Sequence, residues 1–351
     1  MSALRLAFLD VGQGDTTIIY DPILKEAVVV DCVDFISVID FLLSENIKRV
    51  RAVILTHLHS DHYSGIMPFF DNCERYGITW DTWILKWCKG CEKRIDLLED
   101  SDGHSEMVDN PRQKIVHERK TSNFQSLLRC IKTSGINDKI KEPSEVAKDV
   151  PILVSMSFLY PQGRHVPLFA SSNLNNLSLI IRISCESKAL LTGDIEPDGW
   201  QELRSSCLEH LPSDILKFPH HGAWNGGQVS QILDDVNPGF VVISVGTYNN
   251  YNHPNQAVFA EISRRSHIRL LCTQATPQCN SRIETARNEV LKTMKGENEF
   301  RASLSEHSHN CPCAGTVIIE LGETAKVLSP SPQLHVEQII KTYMDSHKCS
   351  C

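Results

Sequence analysis

Three histidines and one aspartate lie within a six-residue stretch, directly after a short apolar segment. The segment Val53–Leu55 is followed by the sequence THLHSDH. Alternate residues of an extended chain point to the same side, so His57 and His59 can bind one metal ion. Asp61 and His62 can face a second ion if the backbone turns at this point. Four such polar side chains beside a buried strand would be costly unless something paired with them, which indicates a metal site.

The ligand types narrow the choice of metal. Neutral imidazole and carboxylate groups suit Zn²⁺, Mn²⁺ or iron ions, and no cysteine stands in this stretch to favour a purely soft metal. The loop is therefore predicted to form half of a two-metal centre. We expect two divalent ions, zinc or manganese.

The length and charge of the chain limit what it can be. Its 351 residues are enough for two domains or for one α/β sandwich with insertions. The formal net charge of −8 excludes the broad basic surface of a general nucleic-acid-binding protein. Any nucleic-acid substrate would have to be held locally, by the metals and a few cations. Lys217 is one such cation, although a solvated side chain is the simpler interpretation of it.

The location of the protein is predicted from what the sequence does not contain. No window approaches the length of a membrane-spanning helix. The apolar segment Leu4–Leu9 is too short for a signal-peptide core and contains Arg5, which favours a β-strand. We therefore expect a cytoplasmic protein without membrane contact, in which the 13 cysteines are mostly reduced thiols or metal ligands.

Further candidate ligands follow two other apolar segments. Asp194 comes after Ala189–Leu191, where its carboxylate could bridge two cations as a dinuclear centre requires. The segment Asp214–Phe218 leads into His220 and His221. Helix-like segments alternate with these apolar strands, which is typical of an α/β protein.

Five motifs, in this order, resemble those of the metallo-β-lactamase fold superfamily, specifically a stand-alone form of the metallo-hydrolase domain of competence (DNA-uptake) proteins. They are DVGQGD at 10–15, HLHSDH at 57–62, TGD at 192–194, HHG at 220–222 and NHP at 252–254. The resemblance implies a single domain over residues 1–330, an αββα sandwich of the metallo-β-lactamase type. Insertions are expected at about 86–150 and 273–314, and a C-terminal helix and tail at 331–351.

The pattern and the resemblance together suggest roles for individual residues. The predicted metal ligands are His57, His59, Asp61, His62, Asp194 and His220. The resemblance implies that Asp194 bridges the two ions. His221, the second choice at its position, would otherwise bind substrate or orient a carboxylate. Asp61 is also predicted to orient the nucleophile, and His253 to touch a phosphate or protonate a leaving group.

One position departs from the superfamily pattern. Many members supply a third histidine to the first metal from just before the strand pair that ends at Asp194. Here the stretch Asn173–Asn176 contains no histidine and is rich in asparagine, as in the competence-type domains. The first metal is therefore expected to be completed by water or by an asparagine side chain.

A second, structural metal site is predicted around the later insertion. Cysteines and histidines there could bind a zinc ion that fastens the inserted segment. The spacing matches no standard zinc finger, so free thiols are the alternative. The candidate ligands are Cys272, Cys279, His309, Cys311 and Cys313.

These ligands together predict a metal-dependent hydrolase. Two cations lower the pKa of a shared water toward neutrality and stabilise the negative charge that develops on a substrate. The resemblance implies a phosphodiesterase or nuclease. One alternative is a hydrolase of small-molecule esters, lactones or thioesters. Another is a catalytically weak metal-binding scaffold, whose inserted segments recruit a protein partner.

Overall fold

The computed structural model describes residues 3–85, 139–145, 155–161, 174–224, 226–247, 249–278 and 313–331. Most of both predicted insertions and nearly all of the predicted C-terminal helix and tail lie outside these residues. Three predicted ligands of the structural zinc site, Cys279, His309 and Cys311, also lie outside them. The other two, Cys272 and Cys313, are buried thiols.

Within the described residues, one β-sheet has nine strands. They are β1 (Leu4–Phe8), β2 (Thr17–Asp21), β3 (Glu26–Val30), β4 (Arg49–Leu55), β5 (Thr79–Trp80), β6 (Trp83–Leu85), β7 (Ile140–Lys141), β14 (Val317–Leu321) and β15 (Ala325–Ser329). Their order is β15, β14, β1, β2, β3, β4, β6 and β7, with β5 beside β4. Neighbours are antiparallel from β15 to β3 and parallel from β3 to β7.

The second sheet has six strands in the described part of the chain. They are β8 (Met156–Tyr160), β9 (Ile180–Ser184), β10 (Lys188–Leu191), β11 (Ile215–Lys217), β12 (Phe240–Ile243) and β13 (Arg269–Cys272). The order is β13, β12, β11, β10, β9 and β8, and β10 to β13 are parallel. The carboxyl ends of β10, β11 and β12 therefore lie at one edge of this sheet.

Helices cover the outer faces of the sheets. They are α1 (Phe35–Ser44), α2 (Ser60–Tyr63), α3 (Ile66–Cys73), α4 (Pro197–Cys207), α5 (Gly226–Val236) and α6 (Gln256–Ser263). Short 3-10 turns lie at Glu74–Tyr76, Pro143–Glu145, Leu174–Leu177, Leu208–His210 and His220–Gly222. Asp34 begins α1 by accepting hydrogen bonds from two backbone N–H groups, as an N-cap residue does. In the part of the chain described here, every helix is too short or too polar to cross a bilayer.

Three apolar clusters define four layers. One cluster lies between the two sheets and contains Ile54 and Leu191. A second packs α1 and α3 against the first sheet, through residues such as Val38 and Phe69. The third packs α4, α5 and α6 against the second sheet around Trp200. The predicted αββα sandwich is confirmed, and because both sheets are covered on both faces their central strands are nearly continuous apolar runs.

The asparagine-rich stretch before β9 forms a 3-10 turn, Leu174–Leu177, and β9 begins only at Ile180. The side chain of Asn176 accepts hydrogen bonds from the N–H groups of Glu196 (3.0 Å) and Gly199 (3.3 Å). These contacts satisfy backbone donors at the start of α4, a role that a local N-cap residue often has. The stretch therefore holds the start of α4, the helix that follows the loop carrying Asp194.

Candidate metal centre

The site lies where strands of both sheets end. In the first sheet, β4 leads to His57; in the second, β10 leads to Asp194 and β11 to His221. Because β10 and β11 are parallel, the residues that follow them lie at the same edge. The N–H of Leu179 donates to the carbonyl of Thr56 (2.9 Å), which joins the two sheets next to the site.

Gly193 allows this close approach. Its φ of 49° lies in the left-handed region that favours glycine. A Cβ atom at this position would lie 2.9 Å from Cβ of Ser178 and 3.2 Å from Cβ of Thr56. The N–H of Asp194 then donates to Oγ of Ser178 (3.0 Å), which fixes the direction of the aspartate. The Thr-Gly-Asp motif therefore needs its glycine for packing as well as for the turn.

One oxygen of the Asp194 carboxylate faces three imidazole nitrogens. Its Oδ2 atom lies 3.2 Å from Nε2 of His62, 3.5 Å from Nε2 of His221 and 3.9 Å from Nε2 of His57. Oδ2 of Asp61 lies 3.4 Å from Nε2 of His221. His59 lies beside this group, with its ring centroid 4.7 Å from that of His57. The structure therefore brings together five of the six predicted ligands, with His221 in the place expected for His220.

The chemistry of this group fits a divalent ion. Among the described residues, the buried Nε2 atoms of His57, His62 and His221 have no hydrogen-bond partner. Buried polar atoms of this kind are costly unless something pairs with them. Ligand atoms of Asp15, His62, Asp194 and His221 all lie within 4.8 Å of one another, which is close enough to surround one ion. Imidazole nitrogen and carboxylate oxygen are common ligands of zinc and manganese.

Hydrogen bonds behind the imidazoles aim their Nε2 atoms at the centre. Nδ1 of His62 lies 2.7 Å from Oδ2 of Asp31, and Nδ1 of His221 lies 2.8 Å from the carbonyl oxygen of Ser244. Asp31 is itself held by the backbone N–H and the hydroxyl of Thr56, at 2.8 and 2.7 Å. Such partners fix the tautomer and orientation of a metal-binding histidine.

The geometry favours His221 over His220 as the ligand, which corrects the preference drawn from the sequence. Both residues have positive φ, 49° and 51°, so the 3-10 turn sends the two side chains in different directions. His221 is buried against Asp194. His220 is 25% exposed, and its Nδ1 atom lies 3.6 Å from Oε1 of Glu196.

His253 lies outside the ligand group. Its ring centroid is 5.6 Å from that of His220. Burial, together with the nearby His220 and His221, lowers the pKa of His253 to about 4. The imidazole is therefore neutral at pH 7 and suited to hydrogen bonding, whereas its role toward a phosphate or a leaving group stays a prediction.

A buried ion pair lies behind the carboxylate of Asp194. The ammonium of Lys217 contacts the carboxylate of Asp15 and lies 3.3 Å from the carbonyl oxygen of Gly193 and 3.9 Å from Oδ1 of Asp194. Burial alone would lower the pKa of Lys217, but Asp15 and Asp194 outweigh it and raise that pKa. The expectation of a solvated lysine is wrong, since the side chain is 3% exposed and remains cationic.

Asp15 and Asp31 lie at strand ends, and the spacing of the sequence gives neither of them a ligand role. In the structure, Asp15 pairs with Lys217 and Asp31 orients His62. Both contacts join residues that are far apart in the chain, so the local spacing of residues does not predict them. The available signal is their position, because Asp15 comes just before β2 and Asp31 directly after β3, at strand ends on the same rim as His57.

The metal-free centre is predicted to hold protons that a metal would displace. Burial opposes a charge on His221, yet Asp194 and Asp15 outweigh it and raise its pKa to about 9. Burial likewise opposes a charge on His62, and Asp194 and Asp31 raise its pKa well above the usual value. A metal needs neutral imidazole, so its binding should release protons at pH 7 and tighten as the pH rises.

This predicts an unusual pH dependence for the chelator-treated protein. The pKa of His221 is about 9 in the folded chain and about 6.5 when unfolded. Its contribution to stability is fully present below the unfolded value and is lost as the pH rises through the folded value. As the pH rises from the unfolded to the folded pKa, the melting temperature of the metal-free protein should therefore decrease. The melting temperature of the metal-loaded protein should change less over the same interval. A metal-free melting temperature that rises over this interval would contradict the assignment.

The family comparisons agree with this geometry. A family model described as the metallo-beta-lactamase superfamily matches residues 9–73, which include the histidine-rich loop after β4. This chain has the metallo-β-lactamase fold. The chain is also 26% identical over 287 residues to ComE operon protein 3 of Bacillus subtilis (strain 168), covering 76% of this chain and 31% of that protein.

A second relative, competence protein ComA of Neisseria gonorrhoeae, is 34% identical over 122 residues, covering 34% of this chain and 16% of that protein. The chain thus spans less than a third of the length of these relatives. Among solved structures, the metallo-beta-lactamase fold protein YhfI from Bacillus subtilis aligns with a TM-score of 0.41 and 12% identity, over 77% of this chain and 96% of that one. The predicted resemblance to the competence-type domains is confirmed.

Proposed function

We propose that this protein is a metal-dependent hydrolase of phosphodiesters that acts on nucleic acid. The observation that carries the proposal is the convergence of three buried imidazole nitrogens on one oxygen of Asp194. The similarity to two competence proteins supports the choice of a phosphodiester over other substrates, because nuclease activity is what that resemblance implies.

We assign His57 and His59 to a first divalent ion. Asp61, His62 and His221 are assigned to a second ion, and the carboxylate of Asp194 is shared between the two. When bound, such ions supply a water of lowered pKa and stabilise the negative charge that develops on a phosphate. In place of the histidine found in many superfamily members, we assign Asn175 or water as the third ligand of the first ion.

The open side of the centre indicates where the substrate would enter. The Asp61 side chain is 30% exposed, and His59 is also only partly buried. The side chains of His57, His62 and Asp194 are almost fully buried. A phosphate and an attacking water would therefore approach past Asp61, whose carboxylate can accept a hydrogen bond from that water and orient it.

The proposal is tested with a panel of substrates. Purified protein loaded with Mn²⁺ or Zn²⁺ should hydrolyse bis-p-nitrophenyl phosphate and single-stranded DNA, and should leave lactones and thioesters intact. Loss of a residue that only hydrogen-bonds a metal ligand typically costs roughly 10–100-fold in metal affinity or activity. Because Asp61 is itself a proposed ligand, Asp61→Ala should lower kcat/KM at least about 100-fold. The matched control is Asp40→Ala, an exposed aspartate on α1.

The panel also separates the alternatives. Turnover of lactones or thioesters without phosphodiester cleavage would replace the proposal with a small-molecule hydrolase. Stoichiometric metal binding with no turnover of any substrate would favour a metal-binding scaffold. Equal loss of activity in Asp61→Ala and Asp40→Ala would contradict the role given to Asp61.

A further inference from the structure

We propose that an unpaired nucleobase of the substrate stacks on Tyr251, at the outer end of a row of aromatic rings that begins at the metal centre. This inference rests on the proposed action on nucleic acid and adds a binding site for the base next to the scissile phosphate. It concerns the loop at residues 249–255, in which His253 is predicted to act on a phosphate or a leaving group, and it gives a separate binding role to Tyr251.

The ring row consists of His221, His220, His253 and Tyr251. The ring centroids of His221 and His220 are 6.2 Å apart, and those of His220 and His253 are 5.6 Å apart. The ring of Tyr251 lies 5.6 Å from that of His253 and nearly parallel to it, at 15°. The row therefore leads without a break from a proposed metal ligand to an aromatic ring that is 66% exposed.

The loop is held in place by one buried side chain. Oδ1 of Asn249 accepts hydrogen bonds from the N–H groups of Tyr251 (3.3 Å) and His253 (2.9 Å). Its Nδ2 atom donates to the carbonyl oxygens of Gly246 and His253, both at 2.9 Å. Four hydrogen bonds to a single amide fix the backbone on either side of Tyr251. A binding surface that is fixed in advance loses less conformational entropy on binding.

The same loop is attached to the turn that carries His221. The N–H of Asn255 donates to the carbonyl of Gly222 (2.7 Å). A Cβ atom on Gly222 would lie only 2.6 Å from Cβ of Pro254, so the turn and the loop are in direct contact. The distance from Tyr251 to the metal centre is therefore set by packed backbone.

The chemistry of the exposed ring favours a nucleobase. Bases stack on aromatic side chains with little dependence on sequence, and each stacked base contributes roughly 1–3 kcal/mol. The bases of a duplex are already stacked on one another, so the ligand should be single-stranded. With a net charge of −8, the chain cannot depend on a broad basic surface to attract phosphates. A local stacking contact would supply affinity that does not require such a surface.

The test is the affinity for a fluorescent oligodeoxythymidylate with a phosphorothioate backbone, measured by fluorescence anisotropy on the full chain with Mn²⁺. Tyr251→Ala should raise Kd roughly 5- to 150-fold, the equivalent of about 1–3 kcal/mol. Tyr251→Phe should bind like wild type because the ring is kept. Tyr76→Ala is the matched control, since Tyr76 is 38% exposed and follows α3, outside the other sheet.

A strand of the same length without bases provides the second arm. The strand without bases should bind the wild-type chain with the same low affinity that the normal strand has for Tyr251→Ala. Its Kd should be the same for Tyr251→Ala as for the wild type. Equal Kd values for Tyr251→Ala and wild type on the normal strand would overturn the stacking site, even if the wild type cleaves DNA. Conversely, weakened binding in Tyr251→Ala by a protein that cleaves no phosphodiester would support the site and refute the proposed function.

Discussion

Replacing Asp194 with asparagine is expected to reduce phosphodiester hydrolysis by at least on the order of 10²–10³-fold, the loss seen when one group that stabilises developing charge is removed from an active site. The amide has nearly the same shape as the carboxylate but carries no charge. It therefore leaves three buried imidazoles facing a weak ligand in place of a shared anion. The measurements are kcat/KM on bis-p-nitrophenyl phosphate and the number of metal ions per chain.

Asp198→Asn is the matched control for this substitution. Asp198 is exposed in the first turn of α4, four residues after Asp194. This variant should keep the metal content and the activity of the wild type. Metal content and turnover close to wild type in Asp194→Asn would remove Asp194 from the centre.

Replacing Lys217 with methionine is expected to lower the free energy of unfolding by about 3–5 kcal/mol, the usual cost of removing one partner from a buried ion pair. Methionine preserves the apolar stem of the side chain but leaves Asp15 buried without its cation, and Asp194 loses the charge 3.9 Å from its Oδ1 atom. Urea unfolding of the metal-free protein measures this loss without a contribution from metal binding.

A double variant separates the charge from the packing. Combining Lys217→Met with Asp15→Asn removes both charges of the pair, and exchanging a buried ion pair for neutral groups is often close to neutral in stability. The double variant should therefore be more stable than Lys217→Met alone, which a double-mutant cycle would report as a coupling energy. Additive losses would mean that Lys217 contributes through packing and not through its charge.

The proposed ligands that lie next to each other in the sequence were the easiest to predict. His57, His59, Asp61 and His62 follow one apolar strand, so spacing and residue type alone indicate a metal site. Asp194 lies more than a hundred residues away, and its role came from the resemblance of its motif. The αββα layers were predicted from the alternation of strand-like and helix-like apolar segments, together with that resemblance.

Other features depended on contacts that sequence patterns do not contain. Whether His220 or His221 faces the centre depends on the positive φ values of a tight turn. Lys217 is buried because its strand, β11, lies between two parallel strands. Its ammonium contacts the carboxylate of Asp15, which is 202 residues away in the chain. A lysine beside a strand end is usually solvated, so only the packing of the two sheets shows that this one is not.

The proposed ligands come from loops of both sheets, and this limits how the protein can move during turnover. An ion held by His62 on one side and by Asp194 on the other would tie two layers that are already joined by the Leu179–Thr56 hydrogen bond and the Lys217–Asp15 ion pair. Hinge opening between the layers would break the proposed centre, so on this assignment we expect the two layers to move as one body during turnover. Among the described residues, gating would then be left to the loops around Asp61 and Tyr251, above a sandwich that stays rigid.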